Sequence, residues 1–121
     1  MKNRGIHIIG DLHNCDLTKL AVSKIKLRQL IKETEKKIKK AGLTPLGSVE
    51  HFFGPNAVTA TIILAESHVA FHTWPELNFT SLDVFVCNFT KNNFKAAKEL
   101  FEDLAKNNFK SKKILRKIIQ H

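Results

Sequence analysis

The chain has 121 residues, 43% of them hydrophobic and 26% charged, which suits one soluble globular domain with a real core and leaves no room for a second. No apolar run approaches the ~20 residues that span a bilayer, and the charged start is followed by an apolar run cut short at Asp11, so neither a membrane span nor a signal peptide is expected and the location predicted is cytoplasmic. The net charge of +9 raises nucleic acid as a partner, although its distribution points elsewhere.

Residues 4–13 alternate, with Ile6, Ile8 and Gly10 on one face and His7, Ile9 and Asp11 on the other, and predict a first strand. Cys15, Asp16, Leu17 and Thr18 then supply capping chemistry for an amphipathic helix over residues 19–41, whose apolar positions include Leu27, Leu30, Ile31 and Ile38 and which Gly42 ends. Residues 44–53 and 57–65 predict an antiparallel hairpin turning at Gly54, Pro55 and Asn56. A polar cluster over 66–76 follows, Pro75 breaks the pattern, and residues 77–80 predict a loop. Residues 82–87 alternate again, Leu82, Val84 and Val86 against Asp83, Phe85 and Cys87. Phe94, Ala97, Phe101 and Leu104 mark a second helix over 92–107, and residues 112–120, which fit a basic helix or an edge strand, are read as a strand. The order predicts an α+β fold, a two-layer α/β sandwich in which an antiparallel sheet carries two helices on one face.

Cys15 and Cys87 lie far apart, without CxxC or metal-ligand spacing, and are expected to be free thiols. Residues 19–40 hold nine basic side chains and residues 110–117 hold five, whereas residues 42–90 contain no Lys or Arg but include Glu50, Glu66, Glu76 and Asp83. The middle of the chain is therefore locally acidic, and a cation is its natural guest. The basic helix and tail could instead engage nucleic acid as an unprocessed binding module, or simply be a solvated face.

The cluster over 66–76 places Ser67, His68, His72, Trp74, Glu66 and Glu76 within eleven residues. Ser67 lacks a Gly-x-Ser-x-Gly elbow, so by itself it reads as a strand-end serine bonded to backbone more readily than as a hydrolase nucleophile. His68 and His72, four apart, would share a helical face for a metal, but the segment is β-like and no third ligand has a metal-site spacing, so no metal is expected. Cys87 reads as a small buried hydrophobe or as an acid/base group. Phe52, Phe53, Trp74 and Phe79 read as packing aromatics, and an aromatic beside Gly54 and Pro55 could also stack on a purine.

Residues 66–76 (ESHVAFHTWPE) followed by 82–87 (LDVFVC) closely resemble the signature of the prokaryotic S-adenosylmethionine decarboxylase proenzymes. The resemblance covers nearly the whole chain, through Gly5 to Ile9, the hairpin around Phe53 and Thr59, and the helix after Cys87. It implies self-cleavage between Glu66 and Ser67, into residues 1–66 and 67–121, with Ser67 converted to a pyruvoyl cofactor. The pyruvoyl carbonyl would form a Schiff base with the substrate amine and act as electron sink for decarboxylation. By the same resemblance His72 and Thr59, the latter where relatives usually have serine, serve processing, Cys87 returns a proton, Glu76 binds ribose hydroxyls, and Phe53 stacks on adenine. The implied product is the aminopropyl donor for spermidine and other polyamines, and the implied assembly is a homodimer whose sites draw on both protomers. A relative acting on arginine or ornithine is the alternative within the same chemistry. The sequence departs from the family pattern at Asp11, Ala57, Ala60, Asn88 and residues 77–80. Strict alternation sets Ser67 and His72 on opposite faces, so a bend near residues 73–75, or cleavage itself, is expected to bring them together.

Overall fold

The computed structural model describes residues 4–20, 23–88 and 91–121. Six strands form one fully antiparallel sheet in the order β2-β3-β4-β5-β1-β6, with β1 Gly5–His13, β2 Pro45–Phe52, β3 Val58–Leu64, β4 Ser67–Trp74, β5 Phe79–Cys87 and β6 Lys113–Gln120. Helices α2 (Lys24–Lys40) and α3 (Phe94–Asp103) carry the second layer, preceded by a single turn, α1 (Leu17–Leu20). This is the predicted α+β sandwich.

Period-two burial in the strands decides which sheet face the helices cover. Ile6, Ile8 and Leu12 on β1, Val58, Ala60, Ile62 and Leu64 on β3, Val69 and Phe71 on β4, and Leu82, Val84 and Val86 on β5 are all buried. From the helix side Leu27, Leu30, Ile31 and Ile38 of α2, spaced at helical intervals, meet them with Ala97, Leu100 and Phe101 of α3. Gly10 has a specific packing reason: a Cβ there would stand 2.3 Å from the Phe101 ring, so only glycine lets α3 lie this close to β1. The last turn of α3 widens into a π-helical segment, Leu104–Asn108, which seats Phe109 edge-on to Phe71 at 5.0 Å.

Several expected boundaries shift for local reasons. The long helix expected over 19–41 is α2 and begins at Lys24, because extended Ser23 caps it and accepts a bond from the Lys26 N–H at 3.2 Å. Residues 21–22 of the expected helix lie outside the described residues. Residues 77–80 are not all loop: Pro75–Leu77 make a 3-10 turn, Asn78 takes a left-handed φ of 48°, and β5 already starts at Phe79. Residues 113–120 are the edge strand, paired with β1. Cys15 and Cys87 are free, and burial raises the Cys15 thiol above its ordinary pKa, the state of an inert core cysteine.

Candidate active site

The helix-free face of the sheet collects the side chains singled out in the sequence. His7, Asp83, Phe85, Cys87, His68, His72, Trp74 and Thr59 occupy the alternate positions to the buried core residues. The polar cluster is itself a central strand, β4, paired with β3 from Ser67 to His72 and with β5 from Ser67 to Trp74. No bend therefore brings Ser67 and His72 together: the five-residue separation along a continuous strand places them about 16 Å apart at ~3.3 Å per residue. The expectation that residues 73–75 would fold the two onto one spot is corrected by this unbroken pairing.

At the Ser67 end the backbone is strained. Ser67 has φ +153°, a region that essentially only glycine occupies without cost, directly after the peptide that joins it to Glu66. Glu66 is held firmly while Ser67 is strained. Its carboxylate accepts from the Thr44 N–H and the Thr44 hydroxyl, both at 3.0 Å, and its carbonyl oxygen accepts from the Cys87 N–H at 2.9 Å. A carbonyl held by a fixed N–H donor is polarised toward attack, and the same donor would stabilise the oxyanion that forms. Neither this backbone contact of Cys87 nor that of Thr44 is legible in the sequence, since both depend on strand register. The Cys87 thiol borders a hollow of about 330 Å³ that is also lined by Arg4 and His121, two residues from the chain ends. A cation thus stands near Cys87 although none occurs between residues 42 and 90.

At the other end of β4, Thr59 and His72 are cross-strand partners, and Thr59 Oγ1 lies 2.5 Å from His72 Nδ1. The His72 ring is stacked between Trp74 at 3.8 Å and Phe53 at 5.5 Å. Burial pushes the His72 pKa below its ordinary value, against the smaller opposing pull of the Glu76 carboxylate. Phe53, His72, Trp74 and Glu76 line a second cavity of about 390 Å³, in which Phe53 remains 51% exposed and so keeps a ring face open for a flat ligand. The fold thus assembles two half-sites: Ser67 with Glu66 and Cys87, and His72 with Thr59, Phe53 and Glu76.

The sequence pattern of the S-adenosylmethionine decarboxylase family matches residues 6–117. The chain belongs to this family. Among curated relatives, the S-adenosylmethionine decarboxylase proenzyme of Archaeoglobus fulgidus is 39% identical over 98 residues, 81% of this chain and 84% of that protein. The proenzyme of Persephonella marina is 36% identical over 103 residues, covering 85% of this chain and 74% of its own length. The crystal structure of the adenosylmethionine decarboxylase from Aquifex aeolicus superposes with a TM-score of 0.77 at 28% identity, over 100% of this chain and 92% of that one. Membership in this family fits the helix-covered sheet and its polar free face. Among the described residues, no helix is long and apolar enough to cross a membrane.

Proposed function

We propose that the chain is a self-processing S-adenosylmethionine decarboxylase, cleaved between Glu66 and Ser67 so that Ser67 becomes a pyruvoyl group, and that it supplies the aminopropyl donor for polyamine synthesis. The observation that carries this reading is the Glu66–Ser67 junction, a positive-φ serine after a carbonyl already bonded to the Cys87 N–H. The junction fits the group, because the hydroxyl that must attack and the donor that must hold the oxyanion belong to adjoining strand ends. A pyruvoyl group at Ser67 would supply an electrophilic carbonyl for the substrate amine and an electron sink for decarboxylation. Cys87 delivers a proton from its thiol at the rim of the same hollow. Phe53 offers its open face to adenine and Glu76 its carboxylate to ribose hydroxyls, while the acidic middle of the chain suits the sulfonium.

The half-sites require a second copy of the chain. A hydrogen-bond reach of roughly 3 Å cannot close a gap of about 16 Å along one strand, so His72, Thr59, Phe53 and Glu76 of one protomer serve Ser67 and Cys87 of its partner in a two-fold homodimer. The free sheet face suits this pairing. It exposes Ile9, Val49, Ile63 and Leu115, each at least 40% accessible, beside the aromatic and histidine side chains of the site.

The test is intact mass under denaturing conditions, with and without a carbonyl reductant, followed by carbon dioxide release from S-adenosylmethionine, arginine and ornithine. Two fragments divided at Glu66/Ser67, the second gaining mass on reduction, and turnover of the nucleoside alone are expected. A single uncleaved chain refutes self-processing, and turnover of only an amino acid refutes the substrate.

A further inference from the structure

His68 has no part in the chemistry above, yet it lies between the proposed nucleophile and a carboxylate. Strand alternation should turn Ser67 and His68 to opposite faces, but the positive φ at Ser67 breaks the alternation and leaves its Oγ 3.4 Å from His68 Nδ1. The other ring nitrogen of His68, Nε2, lies 3.9 Å from Asp83 Oδ2. Asp83 Oδ1 in turn bonds His7 Nε2 on the neighbouring strand. The register explains the arrangement: His68 stands opposite Phe85 and diagonal to Asp83 across β4 and β5, while His7 pairs with Phe85 across β1 and stacks on its ring at 4.8 Å. The β3 partner of His68 is Ile63, which carries no charge. Serine, histidine and carboxylate thus lie next to one another at the strained junction, with Asp83 3.9 Å from His68 and bonded to a second histidine, His7.

We propose that His68 is the general base that activates Ser67 for self-cleavage, with Asp83 and His7 as positioning residues that hold its ring. This rests on the self-processing reading given above. In the step assigned, His68 Nδ1 takes the Ser67 hydroxyl proton as Oγ bonds to the Glu66 carbonyl carbon, and the carbonyl electron pair moves to the oxygen bonded by the Cys87 N–H. The electron pair then returns, the carbon–nitrogen bond breaks, and His68 gives its proton to the departing nitrogen of Ser67. The amide becomes an ester plus a free amine, with no proton or electron left over. Asp83 favours the tautomer with hydrogen on Nε2, which leaves Nδ1 free to accept.

Purified full-length chain, wild type and variants, is followed by intact mass against time, with circular dichroism and elution volume as folding controls. His68→Gln is expected to slow cleavage about 10²-fold. Its uncleaved chain is expected to resist hydroxylamine, which cuts esters and spares amides. His68→Gly is expected to regain cleavage when imidazole is added. Asp83→Asn is expected to slow cleavage about tenfold and Asp83→Glu to recover part of that loss. A wild-type chain that never cleaves sinks the self-processing reading and this assignment with it. A wild type that cleaves beside a His68→Gln chain of equal rate overturns the assignment alone. So does hydroxylamine fragmentation at residue 66 in that variant, since the block would then follow ester formation, and so does a folded His68→Gly chain that imidazole leaves uncleaved. Equal rates for Asp83→Asn and wild type remove Asp83 from the assignment.

Discussion

Separate lesions in the two half-sites should complement one another. Ser67→Ala removes the proposed nucleophile and leaves the His72 end of β4 intact, whereas His72→Ala removes the proposed processing histidine and leaves Ser67 in place. The separation of about 16 Å along β4 exceeds any hydrogen-bond reach, so in the proposed homodimer the two lesions should fall in different composite sites of a mixed dimer. In such a dimer the Ser67 of the His72→Ala chain faces the intact His72 of the Ser67→Ala chain, which restores one complete site. The other site carries both lesions. Equal co-expression with random two-fold pairing makes about half of the dimers mixed, so about a quarter of all sites should be whole. Either variant alone should stay uncleaved and inactive. Co-expressed, about half of the His72→Ala chains should be cut between Glu66 and Ser67, and the fragment starting at residue 67 should carry the His72→Ala mass. Intact mass distinguishes the two chains directly, and decarboxylation of S-adenosylmethionine gives the independent count of sites. Co-expression yielding no cleavage beyond the single variants, in a preparation shown to contain mixed dimers, would refute a site shared between protomers.

Three further outcomes follow from particular contacts. Gly10→Ala drives a methyl to 2.3 Å from the Phe101 ring, and the forced shift of α3 should cost about 1–3 kcal/mol, read as a lower urea midpoint with an unchanged slope. Cys87→Ala keeps the backbone N–H on the Glu66 carbonyl and loses only the thiol, so cleavage should proceed while kcat for decarboxylation falls by about 10²-fold or more; loss of cleavage would mean that the thiol, not the N–H, serves the junction. Because burial lowers the His72 pKa in the folded chain, the unfolded chain binds a proton that the folded one does not in the interval between that lowered value and about 6.5. Stability should therefore be fully present above pH ~6.5 and decline as pH falls through that interval, and His72→Asn should flatten this part of a urea-midpoint titration.

Ala60, Thr59 and Asp11, three of the departures from the family pattern, take ordinary places in the fold. Ala60 is fully buried in β3, on the face opposite Thr59, so its methyl adds to the core and not to the site. Thr59 offers the same hydroxyl that a serine would, 2.5 Å from His72, with an added methyl suited to a strand. Asp11 lies toward the far end of β1 from Gly5 and is exposed, away from the Glu66–Ser67 junction.

What the sequence alone determined is set by short-range periodicity and by the compact motif. Alternation in residues 4–13 and 82–87 separated the buried Ile6, Ile8, Val84 and Val86 from the outward His7, Asp83, Phe85 and Cys87, because a strand turns each successive side chain to the other face. Helical spacing marks the buried stripe Leu27, Leu30, Ile31 and Ile38 but not the cap at Ser23, since one polar residue inside a helical pattern gives little warning of a break. The eleven-residue cluster pointed to the family and to candidate residues for its site. What only the tertiary structure decided was partnership, which rests on strand register and on chain ends far apart in sequence. Register put the Cys87 N–H on the Glu66 carbonyl, Thr44 on the Glu66 carboxylate and Asp83 beside His68, and it set Ser67 and His72 at opposite ends of one straight strand. A one-residue slip in any of these pairings would turn every such side chain to the other face, and nothing in local propensity fixes the register that prevents it.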